Sequence, residues 1–275
     1  VRSSSMLEDA MFEPFAGIYT TKMIPNNQLD EDTRFKRLLE AVKFVYASTF
    51  FKKAKDYINA VGKNSKDEKM AVIIQEVVGS RYGKRYYPEI SGVARSYNYY
   101  SFGKSKPEDG VINLALGLGK TIVDGGVSWT YTPSFPSVSP PFVSLKAMLD
   151  NTQRDFWSVN MEKPFMYDPV NEAEYLIKSD INDAEEDNTL DYVCSTYDVS
   201  SERIKPGVGF KGPRVLNFNP ILDINFIPLN NLLKKLLKVS EEALGAPVEI
   251  EFAMTINKNG KLSPRFGFLQ VRPMV

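Results

Sequence analysis

The sequence predicts an α+β fold, a mixed or antiparallel sheet with helices packed on it. Three observations predict this. A helix-period run extends from about Thr33 to Ile58, and a second covers Leu229 to Leu244. Between them lie short apolar runs of strand length, MAVIIQEVV, ISGVARSYNYY and VINLALGLG. Near the C-terminal end, PVEIEFAMTI and PRFGFLQVRP flank NKNGK, and Asn-Gly between two strand-like runs signals a hairpin.

Each element has its own local reason. Residues 1–29 read as extended and loop-like. Asp30 or Asp32 is placed to cap the first helix, RFKRLLEAVKFVYASTFFKKAKDYI, which reads as one helix with a possible break. Its lysines and arginines form an ordinary solvated face. MAVIIQEVV is short and nearly all apolar, which predicts a buried strand. VINLALGLG ends in a glycine-rich turn, and TYTPSFPSVSPP is a loop, since proline cannot continue a central strand. In residues 142–225, DFWSVNM and DYVCSTYDV read as strands, and SDINDAEEDN as a solvated acidic turn or edge. Pro228 suits a first helical turn and Gly245 a helix end.

The composition narrows the chemistry. The chain has 275 residues, 43% apolar and 25% charged, enough for one large domain or two small ones with a real core. Thirty-four basic and thirty-four acidic residues cancel, so no basic surplus points to nucleic acid. No run has membrane-spanning length and no charged-then-apolar leader is present; a cytoplasmic setting with no membrane partner is expected. Cys194 is alone and reads as a small semi-buried hydrophobe. Histidine is absent, which removes Ser-His-Asp and Cys-His catalysis, His-ligated metals and any phosphohistidine on this chain. A metal held here is therefore a hard, magnesium-like cation on oxygen ligands.

The closing hairpin offers such ligands. In VEIEF, Val248, Ile250 and Phe252 take one face and Glu249 and Glu251 the other. In FGFLQVR, Gln270 and Arg272 share a face. Pairing the strands with their apolar sets inward gathers two carboxylates, an amide oxygen and a guanidinium. That set suits magnesium bound to phosphates; it equally suits a plain amphipathic hairpin with an exposed Glu–Arg pair. LGLGKTIVDGG places glycines where backbone N–H groups can approach an anion, though it is neither a Walker motif nor a dinucleotide fingerprint. VRSSS supplies a cation and three hydroxyls, or an exposed terminus. Val1 in place of an initiator Met, ahead of a polar stretch, reads as a piece of a longer enzyme.

Taken in order, these motifs resemble one family. VRSSSMLED followed by FAG resembles the VRSSA-x-x-ED…SFAG stretch of the ATP-binding domain of phosphoenolpyruvate synthase and pyruvate phosphate dikinase. MAVIIQEVV is similar to its VxVQxMV strand, ISGVARS to its SGVxFT segment, GLGKTIVDGGV to its GLGExVVxGxV turn, and EIEFA with FLQVRP to its DIEWA and ILQxRP hairpin. The helix LLEAVKFVYASTFFKKAKDYI also has its counterpart. The resemblance covers roughly residues 1–130 and 226–275.

The resemblance implies an ATP-grasp-like fold in which ATP lies between two α+β lobes. It implies ATP and Mg2+ as cofactors. Arg2 and Arg272 then grip phosphates, Glu251 and Gln270 hold the metal with Glu249 beside them, and Ala16 and Gly17 (after Phe15) fold over the triphosphate. Gln75, Glu76 and Val77 present backbone groups to adenine, and Gly117 and Gly119 form the glycine turn. It also implies partner domains outside this chain: an N-terminal lobe, a swivelling domain with the phosphorylated histidine, and a pyruvate-binding barrel. The expected division is an ATP-grasp first part at 1–130, a β-rich or loop-rich insertion at 131–225, and the closing helix and metal-site hairpin at 226–275. The expected activity is that of a dikinase passing phosphoryl from ATP through histidine to pyruvate, the isolated piece being inactive. The alternatives are a non-catalytic relative acting as nucleotide sensor or scaffold, and a dikinase with another acceptor. Lys120 replaces the family's glutamate after GLG.

Overall fold

The computed structural model describes residues 1–5, 17–60, 62, 68–101, 103–164, 166–257 and 263–274. Along the chain, strand β1 (Arg2–Ser5) precedes helices α1 (Glu31–Ser48) and α2 (Lys52–Ala60). Strands β2 (Met70–Ile73), β3 (Ser80–Tyr82), β4 (Arg85–Tyr87), β5 (Ile90–Arg95) and β6 (Val111–Ala115) follow, then α3 (Lys120–Val123) and β7 (Trp129–Tyr131). Next come α4 (Leu145–Asp150), β8 (Asp155–Asn160), β9 (Leu176–Asp180), α5 (Ile181–Glu186), β10 (Ser195–Asp198), β11 (Arg203–Pro206) and β12 (Arg214–Val215). The chain closes with α6 (Asn219–Leu222), α7 (Leu229–Leu244), β13 (Val248–Asn257) and β14 (Ser263–Pro273).

The central sheet has five antiparallel strands in the order β14-β13-β5-β6-β7. Its core face carries Ile250, Phe252, Ala94, Ile112, Leu114 and Tyr131, all 0–1% exposed. Leu229, Leu233 and Leu237 on one stripe of α7 join the same core. Burying side chains of this size contributes roughly 1.5–3 kcal/mol each. Gly92 lies opposite Phe252, and a Cβ there would come 2.2 Å from the Phe252 ring. The missing side chain is the space the ring fills.

The predicted helices form with the caps the sequence offers. Asp30 accepts from the amides of Asp32 and Thr33, and the run breaks at residues 49–51 between α1 and α2. Gly245 ends α7 with φ at 67°. The buried strand expected of MAVIIQEVV is corrected. Only Met70–Ile73 is strand, and its residues alternate between half-buried and exposed because its single partner is β1. Ile74 is 63% exposed, and the chain then runs on without strand pairing to Ser80.

The 131–225 stretch, expected to be an insertion, packs into the rest of the fold. Strand β8 pairs with β4, and Phe156 on β8 sits in the main core. The acidic run there contains α5, where Asp183 and Asp187 hold the buried Arg85 guanidinium at 2.8 Å. The expectation of a solvated acidic turn is corrected to that extent: two of its carboxylates are structural anions.

Candidate functional site

The face of the central sheet opposite the core is polar, and strand alternation explains why. With Ile250 and Phe252 inward, Glu249 and Glu251 must point the other way. Strand β14 brings Arg272 directly opposite Glu249, and Gln270 opposite Glu251. The register then slips between Glu251 and Phe252, leaving Leu269 opposite no residue of β13. Such a bulge takes backbone groups out of the ladder. Arg2 uses one of them: its Nη2 donates to the Leu269 carbonyl at 3.1 Å, and its Nη1 to Gln270 Oε1 at 2.8 Å. Arg2 is carried there by β1, which pairs with β2 through Arg2 and Ile73. Its Nε is buried without a hydrogen-bond partner among the described residues.

The two glutamates differ sharply. Glu249 is buried and fully engaged: Arg95 Nε donates to its Oε2 at 2.6 Å, and Arg272 Nε to its Oε1 at 2.9 Å, with Arg272 Nη2 on the same oxygen. Glu251, half-buried, makes no hydrogen bond or ion pair among the described residues. Burial raises its pKa above the usual carboxylate range. Arg272, Arg2 and Arg95 pull it back, and the Glu249 charge pushes it further up.

Beside this face lies an open cleft of ≈ 730 Å³, lined among others by Val1, Phe35, Leu38, Val77, Tyr86 and Met161. Gln75, Glu76 and Val77 line it too. Gln75 and Glu76 are exposed; the Val77 carbonyl accepts from the Tyr86 hydroxyl at 3.1 Å. Apolar walls suit a flat heteroaromatic ring. The 131–225 stretch contributes Val159 and Met161 to these walls. The cleft and the polar face meet at the start of the chain, where Val1 lines one and Arg2 serves the other.

The glycine turn sits on the same side of the sheet. A Cβ on Gly119 would come 3.9 Å from that of Ser91, two residues from Val93, which pairs with Glu251. Gly117 has a packing explanation: φ is +83°, a Cβ would come 2.7 Å from the Trp157 carbonyl oxygen, and its N–H is taken by Pro88 O at 3.2 Å. Lys120 pairs with Asp124 at 2.9 Å and lies over the Trp157 ring. Gly17 is exposed at φ +71°, and its carbonyl accepts from Lys53 at 2.6 Å. Phe15 and Ala16 lie outside the described residues.

Arg2, Glu249, Glu251, Gln270 and Arg272 are thus brought together, with Gln75, Glu76 and Val77 in the adjoining cleft. Sequence reasoning missed Arg95 and Asn113, although alternation in GVAR and VINL puts both on the polar face. Among the described residues, no group of three or more Cys, Asp or Glu is arranged to hold a metal. The oxygen donors here are a smaller set, two carboxylates and one amide. No helix among the described residues is long and apolar enough to cross a membrane. A family model, the pyruvate phosphate dikinase AMP/ATP-binding domain, matches residues 1–275. The comparison with curated proteins gave no match.

Proposed function

Because the chain belongs to the pyruvate phosphate dikinase AMP/ATP-binding domain family, an ATP-binding, ATP-grasp-like domain, we propose that it holds Mg-ATP for phosphoryl transfer to a histidine on another domain and thence to pyruvate. One observation carries this reading: Arg2, from the first strand, meets Gln270 on the last, beside Glu251 and next to the apolar cleft. That arrangement offers adjacent places for a base, for phosphates and for a cation.

The residues fit the cofactors by their chemistry. Glu251 is a half-buried carboxylate with no cation bound directly to it among the described residues, and Gln270 sets an amide oxygen opposite. Both are hard oxygen donors of the kind Mg2+ takes together with substrate phosphates. When bound, Mg2+ would neutralise phosphate charge. Arg2 and Arg272 would do the same from the protein side, and their planar forks would orient phosphate oxygens. Gln75, Glu76 and Val77 would meet the base. The protein's share is positioning and charge complementarity. The chain has no histidine, so the phosphorylated group belongs to a partner domain. The other partners in this reading are an N-terminal lobe and a pyruvate-binding barrel of the same polypeptide, in the cytoplasm; the piece alone is inactive.

A second reading is a relative that binds nucleotide without transferring phosphoryl. Lys120 favours it, since an ammonium paired with Asp124 stands where the resembling motif has a carboxylate. The test is incubation of the full-length protein with ATP, following AMP formation and label on histidine. AMP with phosphohistidine supports the transfer reading. ATP binding without AMP leaves the second, and phosphohistidine discharged only by another acceptor corrects pyruvate.

A further inference from the structure

We infer that Glu249 is a bracket between two arginines rather than a metal ligand, and that Arg95 is a positioning residue that, through Glu249, fixes Arg272 for a phosphate; this rests on the nucleotide reading above. The carboxylate divides its oxygens, Oε2 to Arg95 at 2.6 Å and Oε1 to Arg272 at 2.9 Å. Its side chain is only 9% exposed. A carboxylate already neutralised by two guanidinium groups has little lone-pair density left for a dication, which those cations would also repel. Glu251, two residues along the same face, has no guanidinium bonded to its carboxylate among the described residues.

The bracket continues beyond Glu249. Arg95 Nη1 donates to Asn113 Oδ1 at 3.4 Å, and Asn113 Nδ2 donates to Thr130 Oγ1 at 2.8 Å and Ser128 Oγ at 3.3 Å. Arg272, Glu249, Arg95, Asn113 and Thr130 come from β14, β13, β5, β6 and β7, one from each strand in sheet order. The row is hydrogen-bonded from end to end. Arg272 stands at its outer end, on the last strand of the sheet, where a long side chain has most rotamer freedom to lose on meeting an anion. The row removes that freedom before a ligand arrives, which is how preorganisation raises affinity. Arg95 has no place in the resembling motif's metal or phosphate set; its role follows from the register alone.

The test measures calorimetric affinities of the full-length protein for ATP with Mg2+, ATP with EDTA, and adenosine. Glu249→Gln keeps the shape and removes the charge. It is expected to weaken ATP about tenfold, equally with and without Mg2+, and to leave adenosine unchanged. Arg95→Met is expected to do the same, with Arg95→Lys recovering part of the loss. Combined with Arg272→Ala, Arg95→Met should add nothing, because it acts through that residue. A Glu249→Gln loss confined to Mg2+ would restore Glu249 as a ligand and overturn the bracket. Full ATP affinity in Arg95→Met, with affinity lost in Arg272→Ala, would overturn the positioning role alone. Unchanged affinity in Arg272→Ala would overturn the nucleotide reading itself. If Arg95→Met does not fold, the Mg2+ dependence of Glu249→Gln still decides.

Discussion

Arg2 Nη1 donates to Gln270 Oε1 at 2.8 Å, so the first strand and the last meet across 268 residues of chain. Neither strand alone builds the polar face. The contact depends on the bulge at Leu269, whose carbonyl takes the second arm of the same guanidinium.

Replacing Arg2 should therefore act on both fold and ligand. Arg2→Ala strips a charged donor from two acceptors, a loss of ~1.5–3 kcal/mol for charge-assisted bonds. The expected result is a lower Tm and ATP affinity reduced at least tenfold in the full-length protein. Arg2→Lys should recover Tm better than affinity, since it restores charge but not the fork. Wild-type affinity in Arg2→Ala would remove Arg2 from the phosphate site.

Glu251→Ala or Arg272→Ala should cut ATP-dependent phosphorylation of the full-length protein by orders of magnitude, as one preorganised charge contact is worth ~3–4 kcal/mol. The two should separate in the unliganded state. Burial disfavours the charged form of Glu251, so the neutral Glu251→Gln should unfold at the same or a higher temperature. Arg272→Ala leaves Glu249 short of a cation and should unfold lower. Near-native turnover in either alanine variant would refute these roles.

Gly117→Ala tests packing against anion binding. The substitution forces a side chain into left-handed backbone and against the Trp157 carbonyl and the Phe156 side chain. A loss of about 1–3 kcal/mol in urea unfolding is expected, the range for strain or overpacking. The surviving folded fraction should keep its nucleotide affinity.

Lys22 and Glu174 form a buried pair at 2.8 Å, each side chain 2% exposed, tying the segment before α1 to the turn before β9. Breaking such a pair from one side costs ~3–5 kcal/mol. Lys22→Met should therefore lower Tm markedly, and the double replacement Lys22→Met with Glu174→Leu less. A double-variant loss equal to the sum of the separate Lys22→Met and Glu174→Leu losses would show that the pair is not coupled.

Cys194 is fully buried, and burial pushes its thiol up to about 12. The thiolate is the reactive form, so the residue stays neutral and inert through pH 8. Native protein should resist a thiol reagent at pH 8 and react once unfolded; rapid native labelling would contradict the packing around it.

Much of this was legible in the residues. The two glutamates and their partners follow from strand alternation, which two-residue periodicity encodes directly. Asp30 and Gly245 announce helix ends because their local chemistry does the capping. What stayed hidden depends on distant pairing. Ile74 reads as core by hydropathy, yet it faces outward, since no strand among the described residues covers 74–79 and an open cleft lies there. Asp183 and Asp187 read as solvated because nothing nearby shows that Arg85, about a hundred residues earlier, is brought to them. Arg95 was missed because its partner, Glu249, lies 154 residues away.

The cleft's side wall and the polar hairpin come from separate stretches of chain, Val159 with Met161 in one and Glu251 with Gln270 in the other. Substitutions at Val159 or Met161 would alter the cleft wall without touching Glu251 or Gln270. Under the proposed function, recognition of the base and of the phosphates would therefore rest on separate parts of the chain.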